Sequence, residues 1–595
     1  MTTASLAPSP SPPSPAASAR PPPRSVVAAE PQVRLVAYTQ RPFELAVASA
    51  RTCYASEFEF VGRLTSKGER QRTTLEDALP QFKAELDTIG RLDTPHDQRI
   101  LIVEAMTPRI PDDVAAALQL FADEARRRAE GNKGLARSIY EAGHHTPFQH
   151  PTFVFALEGV SRNVVESFLH NHTFYNSEQQ SQRYVEMRNA EVHVPAAIRA
   201  DPQSRRIFEA AIRSSWDAYD SLRDGLVSAN HKVMAAIGKI KGQTDKKIEG
   251  EAEKKAQEMA RYVIPIAAAT QLYHTVSGIV LLRYVRMAEA CSAPTEARRV
   301  VEQMLEEVRR IDPAFVAQVA EQTRPRAEQA EAHLGGNAPI VPVKGASQLV
   351  SFDPHAATMV AAALREVTGS PLPDAELLAR VLDPAANAAW GDTLNTWDHS
   401  PVLRTLRHVH YTFRKKLSLT AYAQDQRHRM TPGTRPLLER CLTGPDVYVP
   451  DIIAGHPEAK RTYDDAIEGL WAAIAALKKR GVPDEALCYL LPNATNITFH
   501  QSGDLLSFVH KWRLRLCFNA QKEIFDASLA ELRQVQAVHP TLTGFIGPPC
   551  SFVAARQPAE KQDDIAACCP EGDKWCGVKV WQNFDAAKGT PKRPF

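Results

Sequence analysis

The chain has 595 residues, room for roughly two to four domains. Apolar residues make up 44% and charged residues 24%, which excludes a wholly disordered polymer; 71 Lys plus Arg against 69 Asp plus Glu argue against a nucleic-acid coat or a polybasic membrane protein. Nine cysteines do not suit a disulfide-stapled secreted module, and no run approaches the roughly 18 apolar residues of a membrane span, so the expectation is a cytoplasmic protein with no membrane association.

Residues 1–30 hold eight prolines and six serines with charge only at Arg20, Arg24 and Glu30, the composition of a disordered tail. Residues 33–38 then read as a strand and 42–53 as a helix with Pro42 in its first turn. The same pair recurs at 349–352 and 353–364. A sharper match follows, because the hexapeptide from His150 and the hexapeptide from His408 both place an aromatic three positions on (Phe153, Tyr411) and Phe five positions on (Phe155, Phe413). Positions three and five share one face of a strand, so the aromatics point into a core and each His lies near a rim. These repeats predict an α+β (mixed α/β) protein of two fused lobes, at 31–330 and 347–546, joined by a linker at 331–346. The first lobe carries a helical insertion near 60–130, and 547–595 form a Cys-containing C-terminal extension. Long helices are expected at 201–228, 254–262, 280–310, 458–479 and 504–535.

Three clusters suggest chemistry. Arg427-His428-Arg429, with Gln424 three residues upstream, offers two guanidinium forks and an imidazole to a phosphate-bearing cofactor or substrate; a salt-bridged helix end is the other reading. Ser181 and Arg183, after a Gln-rich stretch and before Tyr184, suit binding of a phosphate or base carbonyl from a loop; a polar helix start is the alternative. No Ser–His–acid order accompanies Ser181, so it is read as a positioning residue, and no nucleophile is assigned. Cys550, Cys568, Cys569 and Cys576 lie among turn-forming residues and are candidates for a structural Zn site, with packed reduced thiols as the alternative.

The segment from His150 through Ser161-Arg162, followed by Ser181-Gln-Arg183-Tyr184, resembles the signature region of flavin-dependent thymidylate synthases. The second half resembles it through His408, Ser418, Gln424 and Arg427-His428-Arg429, and again through His510, Arg515, Gln521 and Glu523. The resemblance implies a flavoprotein using FAD, with methylenetetrahydrofolate and NADPH or NADH as cosubstrates, that methylates dUMP to dTMP without a cysteine nucleophile. It implies cofactor contacts from His408, Gln424, Arg427, His428, Arg429 and His510. Substrate contacts are implied for His150, Arg162, Ser181, Arg183 and Arg515. The family's four-subunit assembly implies that this two-lobed chain forms a homodimer of four lobes.

Each half departs from the pattern differently. Counting forward from Ser161 puts His170-Asn171-His172 at the family's Arg-His-Arg, whereas counting back from Arg183 selects Asn171-His172-Thr173; either way both arginines are lost and a one-residue insertion is implied. In the second half Arg427–Arg429 survive, but Pro432 and Pro436 interrupt the following loop and Leu506 stands where an arginine is expected. The reading is therefore one composite site built from both halves. A different acceptor (a modified nucleotide, an RNA base or another small molecule) and a noncatalytic scaffold or regulatory binder remain as alternatives.

Overall fold

In the computed structural model, residues 25–53, 66–91, 94, 96–110, 112–288, 293–320, 336 and 338–593 are described. The first lobe opens with β1 (Val26–Ala28), β2 (Gln32–Tyr38) and α1 (Pro42–Thr52). That first strand lies inside the stretch expected to be a tail, of which residues 1–24 lie outside the described residues. The strand β1 pairs in parallel with Ala190–Val192, and Glu30 is held by Arg199 at 2.7 Å and Arg299 at 3.2 Å. Four helices follow, α2 (Ser66–Ala78), α3 (Lys83–Gly90), α4 (His96–Met106) and α5 (Asp112–Glu141). They enclose a small core of their own around Leu79, Leu86, Met106 and Phe121.

The chain then enters β3 (Thr152–Ser161), whose Phe153, Phe155 and Leu157 alternate into the lobe's core. It continues through β4 (Asn176–Gln179), β5 (Ala190–Val192), the long helix α6 (Pro202–Ile240), α7 (Asp245–Ala260), β6 (Ala269–Ser277), α8 (Gly278–Met287) and α9 (Thr295–Ile311). Asp201 caps α6, its carboxylate accepting from the Gln203 and Ser204 N–H groups. The second lobe repeats this plan: β7 (Ser347–Phe352), α10 (Ala356–Thr368), β8 (His410–Ser418), α11 (Leu419–Asp425), β9 (Gly433–Thr434), α12 (Pro457–Lys479), β10 (Asn496–Asp504), α13 (Leu505–Arg515) and α14 (Lys522–Val538). The two sheets have the same antiparallel order, β2-β3-β6-β4 and β7-β8-β10-β9. One difference is a bulge in β3 at Gly159, whose φ of +67° and 2.5 Å approach of a Cβ position to the Glu30 carbonyl leave room only for glycine.

The helices expected at 280–310 and 504–535 are each two helices. Pro294 and Gln521, both extended, start the second member of each pair. In the second lobe the break turns Asn519 and Gln521 toward the first lobe. Residues 338–346 run without regular structure, and Arg414 donates to the Pro342 carbonyl at 3.0 Å. The C-terminal extension shares the second lobe's core through Phe552, Trp575 and Val580.

The lobes meet about a pseudo-two-fold axis at Pro265 and Pro492, which face each other in an antiparallel bridge. Backbone bonds come in equivalent pairs around it. Ile266 N–H donates to the Leu491 carbonyl and Asn493 N–H to that of Ile264, both at 2.9 Å; Ala267 and Ala494 do the same toward Tyr489 and Tyr262 at 3.0 and 2.9 Å. The core at this junction draws on both lobes, with Trp216, Tyr262 and Ile264 against Tyr463, Tyr489 and Leu491.

Candidate functional site

Each lobe places a serine at the end of its central strand, where it caps the next helical turn, and each serine is fixed by a glutamate from a later helix. Ser161 donates its N–H and hydroxyl to Glu296 at 2.9 and 2.5 Å; Ser418 donates the same groups to Glu523 at 2.7 and 2.6 Å. The tyrosines cross over: Tyr262 of the first lobe donates to Glu523 at 2.7 Å and Tyr489 of the second to Glu296 at 3.2 Å. Burial raises both carboxyls, Glu296 to about 7.

Immediately after α11, Arg427 and Arg429 reach across to the first lobe. Arg427 donates to the Ser177 carbonyl at 2.7 Å and to Glu178 at 3.2 Å; Arg429 donates to Asn176 at 3.1 Å and to the Thr173 carbonyl at 3.4 Å, over the Tyr175 ring. Glu178 is exposed, so these arginines are not consumed in a buried ion pair. His428 turns inward. Its Nε2 accepts from Arg515 Nε at 2.8 Å, and burial and the Arg515 charge hold its pKa well below the usual range, so the imidazole is neutral. Arg515 also donates to the Gln424 carbonyl at 2.8 Å, and the His510 ring lies 5.9 Å from that of His428. Gly503 on β10 lets the loop close over the strand, since a Cβ there would stand 2.8 Å from Thr431 Cγ2.

The first lobe handles the same segment differently. Val165–Leu169 forms a π turn, with the His170 N–H bonded to the Val165 carbonyl five residues back, just before the triplet on which the two counting registers disagree. The segment that follows is filled by aromatic packing: His170 stacks on Tyr175 at 4.5 Å, and His172 and His274 both meet the Tyr284 hydroxyl at 2.8 Å. Burial lowers all three imidazoles, His172 to about 4 and His274 to about 3. This lobe therefore presents no positive charge where the second presents two arginines.

What the first lobe supplies is the polar loop. Arg183 donates to Glu258 at 3.0 Å and to the Asn519 carbonyl of the second lobe at 2.9 Å, while the Ser181 hydroxyl accepts from the Arg183 N–H at 3.2 Å. Burial would raise Glu258, yet Lys255 and Arg183 hold it down to about 2. Gln182, Arg261, Asn493 and Gln521 join the lobes through side-chain amides and a guanidinium: Asn493 donates to Gln182 at 3.2 Å and Arg261 to Gln521 at 2.6 Å, while within the second lobe Gln424 bonds Gln521. A solvent-open cavity of about 290 Å³ is lined by Arg427 and Arg429 together with Tyr175, Asn176, Ser177, Glu178, Tyr273 and Thr275. A second groove of about 320 Å³ continues from it past Arg429 to Gln149, Thr152 and Arg283. The hydroxyls of Tyr175 and Ser177 are buried and have no hydrogen-bond partner within the protein.

A family model described as thymidylate synthase complementing protein matches residues 92–314 and again 348–541, well over half the chain. The chain belongs to that family. Two matched regions in one polypeptide make this member of the thymidylate synthase complementing family a tandem duplication of mixed α/β lobes. A flavin-dependent thymidylate synthase from Clostridium tetani is 35% identical over 220 residues, covering 37% of this chain and 81% of the relative. One from Nitratidesulfovibrio vulgaris is 26% identical over 288 residues, covering 48% and 86%. Among solved structures, a UMP/dUMP methylase PolB from Streptomyces cacaoi bound with 5-Br dUMP aligns over 50% of this chain and 98% of its own at 16% identity, with a TM-score of 0.30.

Within this family member, the structure gathers Gln424, Arg427, His428, Arg429, His510 and Arg515 into one neighbourhood and sets Ser181 and Arg183 beside the Asn519 loop. Other expected residues are placed differently. His408 and His150 are exposed at the starts of their strands, His150 between the groove-lining Gln149 and Thr152, and Arg162 is buried in an ion pair with Glu166. The zinc expectation is overturned: among the described residues no group of three or more His, Cys, Asp or Glu side chains could hold a metal ion. Cys568 points its thiol at the Lys561 and Gln562 carbonyls and Cys576 at that of Val578, while burial raises the pKa of all four candidate thiols, Cys550, Cys568, Cys569 and Cys576. No helix among the described residues is long and apolar enough to cross a membrane. Sequence reasoning missed Tyr262, Tyr489 and Glu258, because their pairings join residues more than 70 positions apart.

Proposed function

We infer that this chain is an FAD-dependent enzyme of one-carbon transfer that methylates a uracil-type acceptor, most simply dUMP to dTMP, with methylenetetrahydrofolate as donor and NADPH or NADH as reductant. The observation that carries this reading is that Arg427 and Arg429 of one lobe share a cavity with Tyr175, Asn176, Ser177 and Glu178 of the other. The residues there suit a phosphate-bearing cofactor: two guanidinium groups, the Asn176 amide, and the orphaned hydroxyls of Tyr175 and Ser177 would hold its anionic part. FAD, when bound, would supply the hydride chemistry. His428, kept neutral, supports Arg515 as an acceptor without adding positive charge to the pocket. Ser181 and Arg183 would orient the nucleotide from the first lobe, and Gln521, braced by Gln424, keeps the two lobes in register through Arg261. Phe174, Tyr273 and Met430 stand exposed around the open side. A second copy covering them would complete a homodimer of four lobes.

A second reading, a related flavoenzyme with another acceptor, is favoured by Leu506. It is buried in the second lobe's core at the position where the family resemblance expects an arginine. Anaerobic reduction of the FAD-reconstituted protein with NADPH and with NADH, in the presence of methylenetetrahydrofolate and dUMP, tests both readings by product mass. A methylated nucleotide supports the first. Bound flavin with no product from dUMP, but product from uridine nucleotides or uracil-containing RNA, supports the second. Failure of correctly folded protein to bind FAD leaves a noncatalytic binder.

A further inference from the structure

Directly beneath Arg427–Arg429 the second lobe buries two lysines and two carboxylates. Lys415, Asp425, Lys511 and Glu531 are all fully inaccessible to solvent. Every donor finds an acceptor. Lys415 Nζ lies 2.9 Å from Asp425, 2.6 Å from Glu531 and 3.1 Å from the Gln501 side-chain oxygen; Lys511 Nζ lies 2.9 Å from Asp425, 3.2 Å from Glu531 and 2.5 Å from the same Gln501 oxygen. Glu531 also accepts from Trp512 Nε1 at 2.8 Å and the Ser347 hydroxyl at 3.2 Å.

The first lobe shows that this fold does not need the charges. Aligned on the paired strand ends Thr152/Ser277 and His410/Asp504, on the capping serines and on Glu296/Glu523, the equivalents of Lys415, Lys511 and Glu531 are Leu157, Tyr284 and Met304. Phe168, whose ring lies 5.0 Å from that of Tyr284, takes the place of Asp425, and His274 that of Gln501. All are buried. Desolvating four charges costs several kcal/mol each before pairing recovers it, and an apolar set of similar size commonly does as well. One topology has adopted both solutions, and the charged one accompanies the lobe that retains the arginines.

The geometry indicates what the charges hold. Asp425 begins the segment, and its backbone carbonyl accepts from the His428 N–H at 3.1 Å. Gln501, held by both lysines, donates to Asp425 at 2.6 Å and to the Thr431 carbonyl at 2.8 Å, so one side chain ties the two ends of 425–431 together. We propose that Lys415, Asp425, Gln501, Lys511 and Glu531 form a positioning cluster that clamps both ends of the Arg427–Arg429 segment and so presents its guanidinium groups to an anionic ligand. This rests on the reading that those arginines take the flavin's anionic part.

The test uses the full-length protein and the five-position variant Lys415→Leu, Asp425→Leu, Gln501→Met, Lys511→Met and Glu531→Met, with Gln501→Met alone as the variant that disturbs folding least. Amide exchange is read across 426–431, FAD affinity by titration of the folded fraction, and stability by melting. The expected result is faster exchange confined to 426–431 and FAD affinity lower by about tenfold or more, without a matching loss of melting temperature. Unchanged exchange and affinity in folded variant, or a lower melting temperature with affinity intact, would overturn the proposal as a merely structural core. If the unmodified protein and Arg427→Ala bind FAD alike, the flavin reading falls instead, and exchange across 426–431 still decides whether the cluster positions the segment.

Discussion

The Tyr262 hydroxyl of the first lobe donates a 2.7 Å bond to the Glu523 carboxylate of the second, which also receives the N–H and hydroxyl of Ser418. Its pseudo-symmetric counterpart, Tyr489 to Glu296, is longer at 3.2 Å. Both carboxyls are buried, so removing a donor leaves part of a polar group unpaired in a medium that penalises it. Tyr262→Phe should destabilise the protein by about 1–3 kcal/mol, and Tyr489→Phe by less. Urea denaturation of the two variants checks the order; equal losses would argue against the asymmetry.

Arg427 makes its polar contacts to a carbonyl and to an exposed carboxylate at the cavity rim, so it contributes little to folding that water cannot replace. Arg427→Ala should leave the melting temperature nearly unchanged and weaken FAD binding by about tenfold or more, the value of one charge-assisted contact. Flavin absorbance after gel filtration and a fluorescence titration measure it.

Gly503 touches the loop that carries the arginines. A methyl group there would lie 2.8 Å from Thr431 Cγ2 and 3.3 Å from the Met430 carbonyl, so Gly503→Ala should push the loop outward at a cost of about 1–3 kcal/mol. The same substitution should reduce flavin retention. Melting temperature and FAD titration together report it, and a silent variant would show that the loop gives way without consequence.

Glu296 supplies a pH signature. Its folded-state pKa, raised by burial from the usual 4.5 to about 7, means that the native protein holds a proton that the unfolded chain releases. Its contribution to stability is therefore fully present below pH 4.5 and is lost as pH rises through about 7, by roughly 3 kcal/mol in total. Subtracting the pH profile of Glu296→Gln from that of the unmodified protein should isolate this fall. A flat difference between pH 5 and 8 would mean that the carboxyl is ionised in the native state.

Much of the architecture was legible from residues alone, because strand alternation and helix starts are local. Phe153 and Phe155 against Tyr411 and Phe413 exposed the duplication, and the uncertain register at His170-Asn171-His172 falls just after the π turn at Val165–Leu169. The helix break before Gln521 escaped notice because an apolar face continues across it.

Sequence by itself determined that two copies of one unit are joined here, and it set the expectation of one composite site drawing Arg427, His428 and Arg429 from one copy and Ser181 and Arg183 from the other. Tertiary structure decided the rest. Only the folded chain shows that Tyr262 and Tyr489 cross between lobes, that His428 is neutral because it is buried and faces Arg515, and that Cys550, Cys568, Cys569 and Cys576 form no metal cluster. The reason is physical: a side chain's charge state and partners depend on burial and on neighbours hundreds of residues away, which no local pattern in the chain records.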